Sequence, residues 1–278
     1  MKKVKLSVLN FNAMGLFNFD TLHGWLLSRH VGKRLQTTAE ILKQLDTDII
    51  MLQEIHTYSV LKLLRRKLSH HPYVAYKPFF YGPRGGLVIF SKFPLEEIQY
   101  INFKTRGTFF NRSFIAQIIR NGILMSKIDD MPLYLLNTYL TPNTDHDYSE
   151  NNRFYRYTDA QLTQIAEIAQ AIAKKKGELI LAGDFNTEKG SPLYNKFLQA
   201  SKVTDVFSKF DFPTQHQEFV PKKHTVRRID FIFLRNGKAK ATIDETEHVF
   251  TDRLPIHKGK KNYVSDHIAL KTEISFSF

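Results

Sequence analysis

The sequence predicts an α/β protein built on mixed β-sheets. Short apolar runs of strand length alternate with longer segments of helical periodicity, the pattern that defines this class. Between residues 113–119 and 123–128 the pair Asn121-Gly122 marks a β-hairpin, so the strands cannot all be parallel. Several apolar runs also end abruptly in Asn, Glu or Asp, at the strand exits where α/β folds place their chemistry.

The chain of 278 residues is long for one domain but within range for a large α/β unit. No repeat, low-complexity tract or Pro/Gly/Ser linker divides it, so residues 1–278 read as a single domain. Apolar content of 42% and 13 glycines describe an ordinary globular protein. The absence of cysteine excludes disulfides, zinc–thiolate sites and a Cys nucleophile. Met1-Lys2-Lys3-Val4-Lys5 has the charge of a signal n-region, but Ser7, Asn10 and Asn12 break the apolar run behind it. No stretch approaches the ~20 apolar residues of a membrane span. The expectation is a soluble protein without a classical signal peptide, cytoplasmic or exported, peripheral at membranes if its substrate is a lipid, with no obligate protein partner. Forty Lys and Arg against 27 Asp and Glu give a net charge of +13. Such a surface favours nucleic acid, anionic lipid or phosphorylated small molecules, a solvated basic surface being the plain alternative.

Taken in order, residues 4–11 alternate as a first strand and leave it through Asn12, with Gly15 allowing a turn. Residues 16–31 are aromatic-rich and irregular, holding Phe17, Phe19 and Trp25 as core packing or a loop over the site. Residues 33–45 put Leu35, Ala39, Leu42 and Leu45 on one helical face. Residues 48–54 form a buried strand running into Glu54. Residues 58–68 are a helix with Arg65, Arg66 and Lys67 largely outward, and residues 85–91 a strand. Phe79-Phe80-Tyr81 and Phe109-Phe110 lie in turn-rich stretches. Residues 132–140 give another strand, and residues 153–175 a helix closed by lysines and Gly177.

The run Leu179-Ile180-Leu181-Ala182 is a strand covered on both faces, followed by Gly183-Asp184-Phe185-Asn186. Asp184 and Asn186 have the same parity, so in extended chain they point the same way. Ser191-Pro192 opens a short helix. Residues 226–234 read as a strand with Asp230 inside an apolar run, and Ser265-Asp266-His267 precede the final strand. The polar residues at strand ends are thus Asn12, Glu54, Tyr139, Asp184, Asn186, Asp230, Asp266 and His267. Converging on one cleft, they would make an oxygen-rich site suited to Mg²⁺ or Mn²⁺ rather than zinc.

Five segments occur in an order that resembles the endonuclease/exonuclease/phosphatase, or DNase-I-like, superfamily: the Asn12 strand end, Gln53-Glu54, Gly183-Asp184-Phe185-Asn186, Arg228-Ile229-Asp230-Phe231 and Ser265-Asp266-His267. The resemblance implies a four-layer sandwich of two packed mixed β-sheets flanked by helices. Within that superfamily, residues 9–15 and Leu27-Ser28-Arg29-His30, with Arg34 four residues on, are similar to segments of Mg²⁺-dependent neutral sphingomyelinases. Those enzymes carry a His where this chain reads Asn137-Thr138-Tyr139-Leu140, and Tyr139 looks more like the abasic-site nucleases, where a Tyr contacts the phosphate.

Roles follow from the chemistry and agree with what the resemblance implies. Glu54 would be the principal ligand of Mg²⁺, with Mn²⁺ as a substitute, and Asn12 and Asp266 would help directly or through water. Asp184 would orient or deprotonate the attacking water, and Asn186 would donate to a phosphoryl oxygen. His267 would serve as acid, base or electrostatic clamp, oriented by Asp230. Tyr139 would hydrogen-bond the phosphate, while Arg227 and Arg228 would attract the substrate. The expected enzyme hydrolyses a phosphodiester of phospholipid or nucleic acid. A sphingomyelinase-type lipid phosphodiesterase stands first, ahead of a DNase-I-like or abasic-site endonuclease and an inositol-phosphate phosphatase. A non-catalytic module of this fold would be expected to lose some of these residues.

Overall fold

In the strands that end at Asn12, Gln53, Tyr139 and Asp184, and in the one that begins at Asp230, the inward-facing stripe changes from apolar to polar at one end, and those ends meet. The computed structural model describes residues 3–15, 30–105, 120–143, 158–257 and 259–278. Strands β1 (Lys3–Asn12), β2 (Ile49–Gln53), β3 (Tyr73–Ala75), β4 (Val88–Ser91), β11 (Lys240–Val249) and β14 (Ala269–Ser277) form one sheet, in the order β11-β14-β1-β2-β4-β3. Strands β5 (Leu95–Asn102), β6 (Gly122–Ile128), β7 (Leu133–Tyr139), β8 (Glu178–Asp184), β9 (Thr204–Asp205) and β10 (Asp230–Arg235) form the other, in the order β5-β6-β7-β8-β10-β9. Both are mixed, since β1–β2 and β7–β8 are parallel and the other ladders antiparallel. A small hairpin of β12 (Leu254–His257) and β13 (Lys260–Asn262) lies apart.

Period-two alternation fixes what each sheet face meets. Leu6, Val8, Ile49 and Met51 face Leu135, Ile180, Ala182 and Ile232 across the middle of the sandwich. Their neighbours Leu9, Phe11, Ile50 and Leu52 face the other way, against Leu35 and Leu42 of α1 (Val31–Leu45) and Leu61 and Leu64 of α2 (Tyr58–Lys67). On the far side Leu179, Leu181, Phe231 and Phe233 pack under Ile165 and Ile172 of α3 (Thr158–Ala173) and Phe197 of α4 (Pro192–Ser201). The layers are therefore helices, sheet, sheet, helices, as the resemblance implied. Helix starts follow local chemistry: Thr57 caps α2 by accepting from Val60 N, and Ser191 caps α4 by accepting from Tyr194 N ahead of Pro192.

Toward the site the inward stripes turn polar in two steps. The first step is a seam of buried amides. Gln53 Nε2 donates to Asn10 Oδ1 at 2.8 Å and to Asn137 Oδ1 at 2.7 Å. Asn10 Nδ2 donates to the carbonyls of Gly183 and Phe231, and Asn137 Nδ2 to those of Leu52 and Val88. Each amide thus ties its own sheet to the opposite one. The second step is the site itself.

Several boundaries differ from expectation. Residues 226–229 are not strand: Ile229 N and Asp230 N both donate to Thr214 Oγ1, and pairing with β8 starts at Asp230. Gly85 and Gly86 form a tight left-handed turn, so β4 begins only at Val88. The hairpin partner expected at residues 113–119, the helix start at 153–157, the aromatic stretch at 16–29 and Phe109-Phe110 fall outside the described residues. The short strands β3, β9, β12 and β13 were not foreseen, nor were the longer β5 and β11. The latter two are sheet-edge strands in which Val249 alone is buried, and so they lack the apolar signal of a buried strand.

Candidate active site

Register brings the polar ends together. Tyr139 pairs with Asp184 across β7–β8, and Asp184 with Asp230 across β8–β10. In the other sheet Asn12 lies beside Gln53, so Glu54 leaves β2 next to Asn12. Strict alternation would send Glu54 to the helix side with Leu52. Its left-handed backbone, φ 60°, instead turns the carboxylate inward. Two glycines clear the space: a Cβ on Gly15 would come within 1.9 Å of Glu54 O, and one on Gly86 within 3.0 Å of Glu54 Cα. Gly15 therefore serves close approach, and the left-handed residue of the first loop is Met14, φ 48°.

Asn12 bridges the two sheets' acids. Its Nδ2 donates to Glu54 Oε1 at 3.1 Å and to Asp184 Oδ2 at 3.0 Å, while its Oδ1 accepts from Met14 N. The amide turns its nitrogen, not its oxygen, to the carboxylates, so in this arrangement it is a bridging donor and not a cation ligand. Tyr139 gives its single hydroxyl hydrogen to Glu54 Oε1 at 3.0 Å, so as placed it steadies that acid and has none left for a phosphate. Asn186, also left-handed at φ 47°, donates from Nδ2 to Leu140 O and from its backbone to Asp184 Oδ1. One amide hydrogen of Asn186 remains for another acceptor.

His267 is held by Asp230, whose Oδ2 lies 2.8 Å from Nδ1. Its Nε2 is left facing Asp184 Oδ2 at 3.8 Å. Burial works against a charged imidazole here, but Asp230, Asp184 and Asp266 outweigh it and hold His267 well above the usual histidine range. Asp184 is raised in turn by burial and by Asp230, against the pull of His267, Asn12 and the Asn186 N–H. Burial and the neighbouring Asp266 raise Glu54 as well. Burial and the charges of Glu54 and Asp184 keep Tyr139 a neutral phenol.

Two expected residues are placed differently. Arg228 is buried; its guanidinium pairs with Asp205 of β9 and donates to Phe207 O, so its charge is already engaged inside the fold. Arg227 is half-exposed and pairs with Glu188 at 3.2 Å. Three residues to which the sequence assigned no role support the site. Ser265 Oγ donates to Asn12 O at 2.7 Å and accepts from His267 N, so it pins the first loop to the last. Thr214 anchors the start of β10, and Arg34 reaches the loop after β1 from α1. Arg34 and Ser265 both stood in resemblance segments of the sequence; Thr214 stood in none.

The donors fit a hard divalent cation. Glu54 and Asp266 are oxygen donors that repel one another, and both bear on the charge of Arg34. A second grouping, Asp184, Asp230 and His267, has ligand atoms within 4.8 Å of one another. There, however, the short Nδ1–Oδ2 contact has hydrogen-bond geometry, and a protonated imidazole cannot ligate.

Two β-sheets packed face to face between helices, with acids, amides and one imidazole gathered where the strand ends meet, define the class of two-sheet α/β sandwiches. The chain belongs to the Endonuclease/Exonuclease/phosphatase family, whose sequence profile matches residues 14–267. Human sphingomyelin phosphodiesterase 2 is 27% identical over 196 residues, a match covering 66% of this chain and 41% of that protein. The chain thus spans less than half the length of that relative. Sphingomyelinase C from Streptomyces griseocarneus has the same fold, with a TM-score of 0.67 at 14% identity, covering 99% of this chain and 100% of that one. So does TDP2 of D. rerio, solved with a single-strand DNA product, at a TM-score of 0.67 and 18% identity over 97% of this chain and 98% of that one.

Proposed function

We propose that this protein is a divalent-cation-dependent phosphodiesterase of sphingomyelinase type. The observation that carries the reading is the continuous network from Tyr139 through Glu54, Asn12 and Asp184 to the Asp230-held His267. Glu54 and Asp266 would hold Mg²⁺ or Mn²⁺, which supplies charge stabilisation at a phosphoryl oxygen. Asp184, kept in place by Asn12 and the Asn186 N–H, orients the attacking water and draws on its proton. His267 is charged and fixed by Asp230, and its free Nε2 faces the reacting phosphate as clamp and proton donor to the leaving oxygen. Tyr139 holds Glu54 in its strained turn.

The human relative's name supports lipid as the substrate class, and so does one surface feature. Phe80 is 92% exposed at the tip of a turn whose base packs on the residues after Glu54. A nuclease reading is favoured by Tyr139 in place of His and by the likeness to a DNA-product complex. The discriminating experiment offers purified protein sphingomyelin vesicles, plasmid DNA, abasic duplex and inositol phosphates, each with Mg²⁺ and with EDTA. Release of phosphocholine that EDTA abolishes and Mg²⁺ or Mn²⁺ restores is expected. DNA cleavage without phosphocholine release selects the nuclease, and full activity after exhaustive chelation overturns the cation.

A further inference from the structure

A fully buried charged side chain among the described residues belongs to neither sheet. Arg34, in the first turn of α1, is fully buried, and no carboxylate among the described residues hydrogen-bonds it. Its guanidinium goes to backbone carbonyls instead. Nη1 donates to Ala13 O at 2.7 Å and also to Val264 O, while Nη2 donates to Met14 O. Ala13 and Met14 directly follow Asn12, and Val264 stands just before Ser265, Asp266 and His267. One planar fork therefore ties together the two loops that carry site residues from opposite ends of the chain. Burial lowers its pKa to about 10 against the pull of Asp266 and Glu54, so at neutral pH it stays a cation.

A buried charge is costly, and an amide could have met these carbonyls more cheaply. What an amide could not supply is positive charge beneath two acids that repel each other. We propose that Arg34 is a positioning residue of the cation site, fixing the loop after β1 against the loop before β14 so that Glu54 and Asp266 keep a binding arrangement before any cation arrives. The proposal rests on reading Glu54 and Asp266 as the cation's ligands.

The test measures Mn²⁺ binding without substrate, by calorimetry or by loss of the free-ion electron spin resonance signal. It compares the native protein, Arg34→Met, Arg34→Lys and Leu42→Ala. Leu42 is buried on the same helix and, being apolar, hydrogen-bonds neither loop's carbonyls, so its truncation reports the cost of a loosened α1 without loss of the fork. Both Arg34 variants should bind Mn²⁺ roughly 10- to 100-fold more weakly than native, the usual effect of losing a residue behind a metal ligand. Lysine keeps the charge but cannot span three carbonyls as a fork. Turnover should fall in kcat while KM holds, and Leu42→Ala should lose stability with native Mn²⁺ affinity. Native-like Mn²⁺ affinity in Arg34→Met overturns the proposal, as it does in Arg34→Lys should the methionine variant not fold. A native protein that binds no Mn²⁺ overturns instead the cation reading on which the proposal rests.

Discussion

Single side chains here are set by left-handed backbone conformations. Glu54 and Asn186 both sit at positive φ, a strain of about 1–3 kcal/mol for Glu54 and less for Asn186, which tolerates that region; Glu54 is turned to Asn12 and Tyr139, and the Asn186 N–H to Asp184. That explains what the sequence could and could not show. The acids and amides were legible because apolar runs stop at them; the turn that reverses Glu54 was not, since alternation pointed it the other way. Arg228 misled for a related reason, because a charged residue beside a motif carries no sign of its buried partner Asp205 twenty-odd positions away. For the pair proposed as catalytic, His267→Ala should lower kcat by roughly 10²–10⁴-fold. Asp230→Asn should cost less and add little in the double variant, because the two act as a unit; multiplying effects would show that they act apart. His56 offers a test of burial. Its ring is buried and burial pushes its pKa down to about 3, so the folded protein refuses a proton that the unfolded chain takes up near pH 6.5. The stability this contributes is whole above that value and is lost as pH falls. Between about pH 7 and pH 5 the loss should be about 2 kcal/mol, and urea titrations of His56→Met should show a correspondingly shallower acid slope.

At the scale of elements, the interior strands declared themselves and the edges did not. β8 and β10 read plainly as buried runs, whereas β5 and β11 hide their strand character behind charge, the usual protection of a sheet edge. The short edge strand β9 is held by a side chain as well as by its ladder. Arg228, just before β10, grips Asp205 with both groups buried, so Arg228→Met should destabilise by about 3–5 kcal/mol by leaving the acid unpaired. Denaturant midpoints for that variant and for Asp205→Asn would check it. The aromatic turn before β4 is the element that addresses the outside. Phe79 N donates to Gly82 O across its base at 3.0 Å, Tyr58 Oη donates to Phe79 O at 2.7 Å, and Arg84 lies 4.8 Å from the Phe79 ring centroid. Phe80 is thus presented on a fixed support. If the substrate is a bilayer lipid, Phe80→Ser should forfeit about 2 kcal/mol of insertion, roughly thirtyfold in vesicle partitioning. Hydrolysis of a small soluble phosphodiester should be spared. Unchanged vesicle binding would remove this turn from the docking surface.

Across the whole molecule, charge and connectivity dominate. The net charge of +13 predicts tighter association with anionic than with zwitterionic vesicles, weakening steeply as salt is added; co-sedimentation across a salt series would measure it. No helix among the described residues is long and apolar enough to cross a membrane, so such association would be at the surface. The two-sheet architecture was legible from the ordered strand-end residues, but the way the sheets lock together was not, because Asn10, Gln53 and Asn137 look like ordinary polar interruptions in a strand. In space they satisfy one another and the opposing backbone. Pulling the sheets apart strands those amides and carbonyls without partners, at about 1–3 kcal/mol apiece unless water enters. Neither half is then a viable folding unit. The protein should melt in one calorimetric transition, its slowest-exchanging amides in β1, β2, β7 and β8 should all open together, and a chain cut between β4 and β5 should regain structure only when both pieces are present.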